Sequence, residues 1–141
     1  QAIKQQERHE KGKKKILDDV PLALPALSRA TKLQKRAASV GFDWTDAAPV
    51  IDKVKEELQE LQQEIAGGDK ERAEEELGEL LFSCANLARH YSIDPERALG
   101  LANNKFKRRF EALEDKFDFS QQTPSLEELE QTWLNIKKAE S

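Results

Sequence analysis

The glycine pair Gly67-Gly68 interrupts a long run of helical repeats and so demands a helix–turn–helix layout. Before the pair, Val50, Val54, Leu58, Leu61 and Ile65 recur at helical spacing. After it, Leu77, Leu80, Leu81, Cys84, Leu87 and Ala88 do the same, and these apolar side chains are expected to be buried. The first of these helices is expected to start at Asp46 as N-cap, with Pro49 tolerated in its first turn. The second should run from just after Asp69 to about Tyr91. An earlier helix is predicted over residues 26–40, with Leu27, Ala30, Leu33 and Ala37 on one face and Gly41 as its stop. Asp94-Pro95 opens another, bearing Leu99, Ala102, Phe106, Phe110, Leu113 and Phe117. A capping box of Ser125 and Glu128 opens a last short helix with Trp133 and Ile136. No segment alternates as a strand. The expectation is an all-α, up-and-down bundle of four to five helices, or half of a bundle shared between subunits.

A chain of 141 residues suits one domain with a modest core, and 35% charged residues suit helices with wet faces. A net charge of −4 argues against generic nucleic-acid binding. One cysteine, Cys84, cannot form an internal disulfide, which suggests a reducing compartment. With no apolar run of membrane length and no signal-peptide pattern, a soluble, cytoplasmic protein is expected. Residues 1–19, with Lys11, Lys13, Lys14 and Lys15 around Gly12, read as a linker or frayed segment, and residues 20–141 as the domain. The chain holds no methionine, and Gln1–Glu7 loosely echo Leu134–Glu140. Both features suggest the second copy of a tandem duplication.

Two acidic clusters flank the turn: Glu56-Glu57-x-x-Glu60 and Glu76-x-x-Glu79. Carboxylates three residues apart project from one side of a helix, so an antiparallel hairpin would bring four of them together. Such a group repels itself unless a cation sits within it, and hard oxygens without His or Cys point to Mg²⁺, with Mn²⁺ as the alternative. With Val54 at the centre of the apolar face and ~100° per residue, Glu57 lies ~60–80° to one side and Glu60 slightly further round, while Glu56 points ~160° away. Glutamates on helices also serve as a solvated face paired to Lys or Arg. Residues 56–64 and 73–88 contain neither Lys nor Arg, which favours a metal site over that alternative. The expected class is therefore magnesium-dependent phosphate chemistry.

The helix opened by Asp94-Pro95 supplies the opposite charge. Lys105 and Arg109 lie four apart beside its apolar face, with Arg108 next to them and Lys107 on the other side. They are suited to polyphosphate oxygens, or to neutralising glutamates across the bundle. Asn103 falls within the apolar stripe and is suited to a base edge or a ribose. Cys84 lies on an apolar face and is expected in the core. His9 lies in the linker, and His90 at a helix end, where a histidine favours the helix dipole. Trp44 and Trp133 either pack or stack on a base, and Phe82 faces away from its stripe as if toward a second contact surface.

The ordered set Val40-Gly41-Phe42-Asp43-Trp44, Glu56-Glu57-x-x-Glu60, Glu76-x-x-acidic and Asn103-x-Lys105-Phe106-x-Arg108-Arg109-Phe110 resembles the MazG family, from about Leu17 to the C-terminus. The resemblance implies an all-α nucleoside triphosphate pyrophosphohydrolase that uses Mg²⁺, releases monophosphate and pyrophosphate, and works as a homodimer. It also implies that this is the C-terminal of two tandem domains. Carried over, Glu57, Glu60, Glu76 and Glu79 take the metal-ligand places, and Glu56 orders or deprotonates the attacking water. Lys53, Lys105, Arg108 and Arg109 take the phosphate contacts, and Trp133 lies near the nucleotide pocket. The family usually has Asp where Glu79 stands. The extra methylene puts metal affinity, turnover or metal preference in question. A nucleotide-binding or regulatory module that has lost proper metal geometry is the alternative reading.

Overall fold

Helix signals and glycine stops translate almost directly into the elements of the computed structural model, which describes residues 14–140. The expectations for residues 1–13, including His9, lie outside the described residues. Among the described residues the order is a short 3-10 turn at Ile16–Asp19, then α1 (Ala26–Ala38), α2 (Ala48–Ala66), α3 (Lys70–His90), α4 (Pro95–Glu114) and α5 (Leu126–Ala139). The chain is all-α, with no strand among the described residues.

Each boundary has a local cause. Pro25 precedes α1, and the chain leaves that helix through Gly41 at φ 94°, a left-handed conformation that glycine adopts without strain. Helix α2 starts one residue later than expected. Ala47 holds the N-cap place without a side-chain cap, and Pro49 occupies the first turn. Gly68, at φ 74°, turns the chain back, and the Asp69 carboxylate accepts from the Arg72 amide to cap α3. Ser125 and Glu128 form the predicted capping box on α5.

The chain divides into two compact units, one ending at Glu96 and the other beginning at Arg97. In the first, α2 and α3 form an antiparallel hairpin, α1 packs on α3, and the 3-10 turn packs on α1. Arg36 fixes that turn by donating to the Ile16 carbonyl at 3.0 Å and to Asp19 Oδ2 at 3.4 Å. Its core is small: Val20, Ala30, Val50 and Ala85 are buried. Val50 is 1% exposed, and burying such a side chain stabilises by about 1.5–3 kcal/mol. The second unit holds nearly all of α4 and α5. There Phe106 packs on Trp133 with ring centroids 5.3 Å apart, over a buried Leu113.

Burial corrects two expectations. Leu58, Leu77 and Leu81 are 46%, 45% and 49% exposed, and Cys84 is exposed rather than in the core. The buried side chains of α3 are instead the small Ser83 and Ala85, two residues apart and so on different sides of a helix that packs against both α1 and α2. The leucine edge of the hairpin lacks a cover within the described residues.

Candidate metal centre

Glu57 and Glu60 stand one turn apart on α2, ten and seven residues before Gly67, and Glu76 stands eight residues beyond Gly68 on α3. Folding the hairpin at the glycines therefore brings the three carboxylates to the same level. One oxygen from each of Glu57, Glu60 and Glu76 lies within 4.8 Å of the others. Glu79 is exposed and stands outside this group, one turn further along α3. Glu56 is also exposed.

Burial makes this more than a charged surface. Glu57 is only 4% exposed, although a sequence helical wheel puts it merely at the border of the packed face. Its Oε1 receives the Lys53 ammonium at 2.9 Å, across one helical turn, and Glu56 Oε1 lies 3.7 Å from the same nitrogen. That contact holds the Glu57 carboxyl below, and the Lys53 ammonium above, their ordinary pKa. It also corrects the inference drawn from the lysine-free windows. Lys53, just before the first window, reaches Glu57, and Arg72, just before the second, reaches Glu64 at 3.5 Å.

One cation is still too few for this cluster. Glu57 Oε2 and Glu76 Oε2 are buried with no hydrogen-bond partner. Loss of solvent contact, then the neighbouring Glu60 and Glu57 carboxylates, push the Glu76 carboxyl up to about 7. Buried oxygens without partners are rare and destabilising unless something else satisfies them. A donor set made only of carboxylate oxygens suits a hard cation, and the three residues present can hold a metal ion.

The remaining sequence candidates belong to the second unit. Arg109 donates from Nε to Glu140 Oε1 at 2.9 Å and Oε2 at 3.2 Å, with a second nitrogen 2.8 Å from Oε1. Arg109 first, and then Arg108 and Lys105, hold the Glu140 carboxyl below its ordinary pKa. Lys107 pairs with Glu111 at 3.4 Å, four residues on, which fits its reading as a neutralising charge. Asn103 is exposed and Trp133 is half-buried against Phe106.

Two features were not anticipated. Asp43 accepts from Arg89 at 3.0 and 2.6 Å, and His90 Nε2 lies 3.0 Å from the same carboxylate. His90 thus has a specific partner in addition to its place at the end of α3. Gln34 is buried, and its Nε2 donates to the Phe82 carbonyl at 2.9 Å, tying α1 to α3. Its signal was present: Gln34 is four residues after Ala30 and three before Ala37, on the apolar face of α1.

Residues 46–113 match the MazG nucleotide pyrophosphohydrolase domain family. A nucleoside triphosphate pyrophosphohydrolase of Escherichia coli (strain K12) is 46% identical over 145 residues, which cover 99% of this chain and 55% of that protein. The nucleoside triphosphate pyrophosphohydrolase/pyrophosphatase MazG of Thermotoga maritima is 40% identical over 96% of this chain and 52% of its own length. The chain thus spans about half the length of these curated relatives. No helix among the described residues is long and apolar enough to cross a membrane. A helical hairpin with clustered glutamates at the motif positions, matched by the domain family and by these relatives, means that the chain belongs to the MazG family.

Proposed function

We propose that this chain hydrolyses nucleoside triphosphates between the α and β phosphates, releasing nucleoside monophosphate and pyrophosphate. The carrying observation is the Glu57–Glu60–Glu76 group, with its two buried, unpartnered carboxylate oxygens, in a chain related to nucleoside triphosphate pyrophosphohydrolases. Glu57, Glu60 and Glu76 would hold Mg²⁺, or Mn²⁺ in its place, and the bound ion supplies charge neutralisation to the phosphate oxygens. Glu79 joins as a fourth ligand if its longer side chain swings inward. Lys53 holds Glu57 ionised and in position, and the family resemblance gives it a phosphate contact as well. Lys105, Arg108 and Arg109 bind the polyphosphate, with Arg109 exchanging Glu140 for a phosphate oxygen. Glu56 orders the attacking water or takes its proton, Asn103 contacts the ribose or base, and Trp133 contacts the nucleotide. The protein acts as a homodimer, a reading supported by the exposed Leu58, Leu77 and Leu81 on the hairpin.

Incubation with mixed triphosphates and Mg²⁺ should release pyrophosphate. Orthophosphate as the first product would contradict the cleavage position. A second reading is a nucleotide-binding or regulatory helical dimer with weakened catalysis, and the place of Glu79 outside the three-carboxylate group favours it. It predicts nucleotide binding without turnover, and turnover gained in Glu79→Asp.

A further inference from the structure

Helix α1 carries Arg29, Lys32, Lys35 and Arg36 and no acidic residue, in a chain whose net charge is −4. A pocket of about 370 Å³ lies between this helix and the corner that follows α3, on another side of α1 from the buried Ala30 and Gln34. That volume is at the small end of the range for small-molecule sites. Lys32 and Lys35 line it one turn apart, and neither ammonium has a partner among the described residues. Arg36, by contrast, is taken up by Asp19 and the Ile16 carbonyl.

The rest of the lining is already committed or is a donor. Arg89 forms a fixed wall, because Asp43 and Asn86 hold its guanidinium at 2.6–3.1 Å. Asp94 is the one carboxylate of the lining, and its Oδ1 accepts from the Glu96 amide at 3.0 Å. Thr31 Oγ1 donates to the Leu27 carbonyl at 3.2 Å, so its oxygen can only accept a further bond. Ser28 and Ser92 remain as hydroxyl donors. Ser92 sits at φ 56°, a conformation uncommon for a residue with a Cβ. The turn is fixed there by the Ser92 amide on the Arg89 carbonyl at 3.0 Å and the Ile93 amide on the Ala88 carbonyl at 2.8 Å.

Two free ammoniums and two hydroxyls around one small concavity call for a ligand rich in acceptors, negatively charged and without donors of its own. A lone carboxylate would leave part of this set unused, whereas two linked phosphoryl groups offer an oxygen to every donor. We infer that this pocket binds a diphosphate group, with Lys32 and Lys35 on its two phosphoryl ends and Ser28 and Ser92 donating to their oxygens. The group is that of free pyrophosphate or of a nucleoside diphosphate. None of the residues placed in hydrolysis takes part, so the pocket is a second oxyanion site apart from the carboxylate centre and from the cations of α4. Because Lys32 and Lys35 are exposed, binding weakens as salt is added.

The test needs neither metal nor turnover. Pyrophosphate added to metal-free, isotope-labelled protein should shift the amide signals of Thr31, Lys35 and Ser92 along one saturable curve. The double variant Lys32→Gln/Lys35→Gln should raise the dissociation constant more than about tenfold, since two charge-assisted hydrogen bonds are lost. Ser28→Glu, which puts a like charge in the pocket, should do the same. Both variants should keep the helical spectrum and release pyrophosphate from a triphosphate at the parent rate. A nucleoside diphosphate that binds as tightly as pyrophosphate would show that the diphosphate alone is recognised, and tighter binding would name the nucleotide as the source. Unchanged affinity in both variants would overturn the inference, as would shifts confined to Lys105, Arg108 and Arg109. Sulfate at equal ionic strength reproducing the shifts without saturation would reduce the effect to screening and also overturn it. Variants that lose hydrolysis would make the pocket part of the substrate site rather than a second one. Saturable shifts in a protein that hydrolyses nothing would keep this pocket and remove only the proposed activity.

Discussion

The α2–α3 hairpin gathers carboxylates and α4 gathers cations, and the two handle their charge in opposite ways. On the hairpin, three carboxylates crowd together with one ammonium among them, and two buried oxygens have no partner. In the other unit, the cations Lys105, Arg108 and Arg109 share the exposed carboxylate of Glu140, at the end of α5. The first arrangement costs free energy as it stands and the second costs almost none. Protein folds keep unsatisfied charge where a ligand is to supply what is missing. The acidic centre is therefore the part that the proposed metal ion would relieve. The basic residues have a partner of their own, and a phosphate ligand would have to compete for it.

The largest expected effect removes the centre. Glu57→Gln keeps the shape of the side chain but loses a buried ligand charge. Pyrophosphate release should fall by more than the ~10–100-fold typical of a residue that only supports a ligand. Circular dichroism should show an unchanged fold. Turnover within a few-fold of the parent would break the contrast between the two units.

Lys53→Met asks whether the single ammonium is what makes the cluster tolerable. Removing one partner of a fully buried ion pair costs about 3–5 kcal/mol. Here the loss should be nearer the lower end or below, because the Lys53 side chain is 38% exposed. Urea unfolding of metal-free protein would measure it, and added Mg²⁺ should restore more stability to the variant than to the parent. Equal metal effects on both proteins would separate Lys53 from the cluster.

Much of this was legible in the sequence, because it depends on local rules. The helices follow from glycine stops, the Ser125–Glu128 box and Asp94-Pro95, all of which act within a turn or two. Glu57, Glu60 and Glu76 follow from three-residue spacing on either side of one sharp turn. What the sequence conceals is depth. A helical wheel places Glu57 at the border of the apolar face, but its near-complete burial depends on how closely α3 approaches. The side chains buried on α3 are the small Ser83 and Ala85, which give little hydrophobic signal. Leu77, Leu81 and Cys84, which the periodicity puts in the core, are exposed. Glu79 has the right spacing, yet one helical turn moves it out of the cluster. Contacts between distant segments, such as Asp43 with Arg89, have no periodic signature at all, and the spacing that puts Gln34 on the apolar face of α1 does not name Phe82 as its partner.

Protonation gives a milder test. Glu76 has its pKa raised from 4.5 to about 7, so the folded chain holds a proton that the unfolded chain gives up. Below the unfolded pKa both states are protonated, and the stabilising contribution of that proton is complete. It diminishes as pH rises from 4.5 and is gone above about 7. Metal-free protein should therefore melt at a lower temperature at pH 8 than at pH 6. Glu76→Gln should flatten that slope and raise the melting temperature at pH 8. Metal affinity should rise over the same interval, because the ion replaces the proton. A melting temperature independent of pH in the parent would mean that water already relieves the crowding.

The smallest effect is expected on the basic side. Glu140→Gln removes the carboxylate that occupies Arg109 without touching the cations. The Glu140 end of this pair is exposed, so salt weakens the hold on the Arg109 guanidinium. Freeing it should lower KM for a triphosphate by about two- to fivefold at low ionic strength, with kcat unchanged. The difference should shrink as salt is added, since screening already does the work of the substitution. Arg109→Lys would sharpen the point: it keeps the charge but loses the planar fork that grips either Glu140 or a phosphate, so KM should rise instead. A KM that ignores both substitutions would leave Arg109 as a neutralising partner for the end of α5, and the phosphate role would then pass to Lys105 and Arg108 alone.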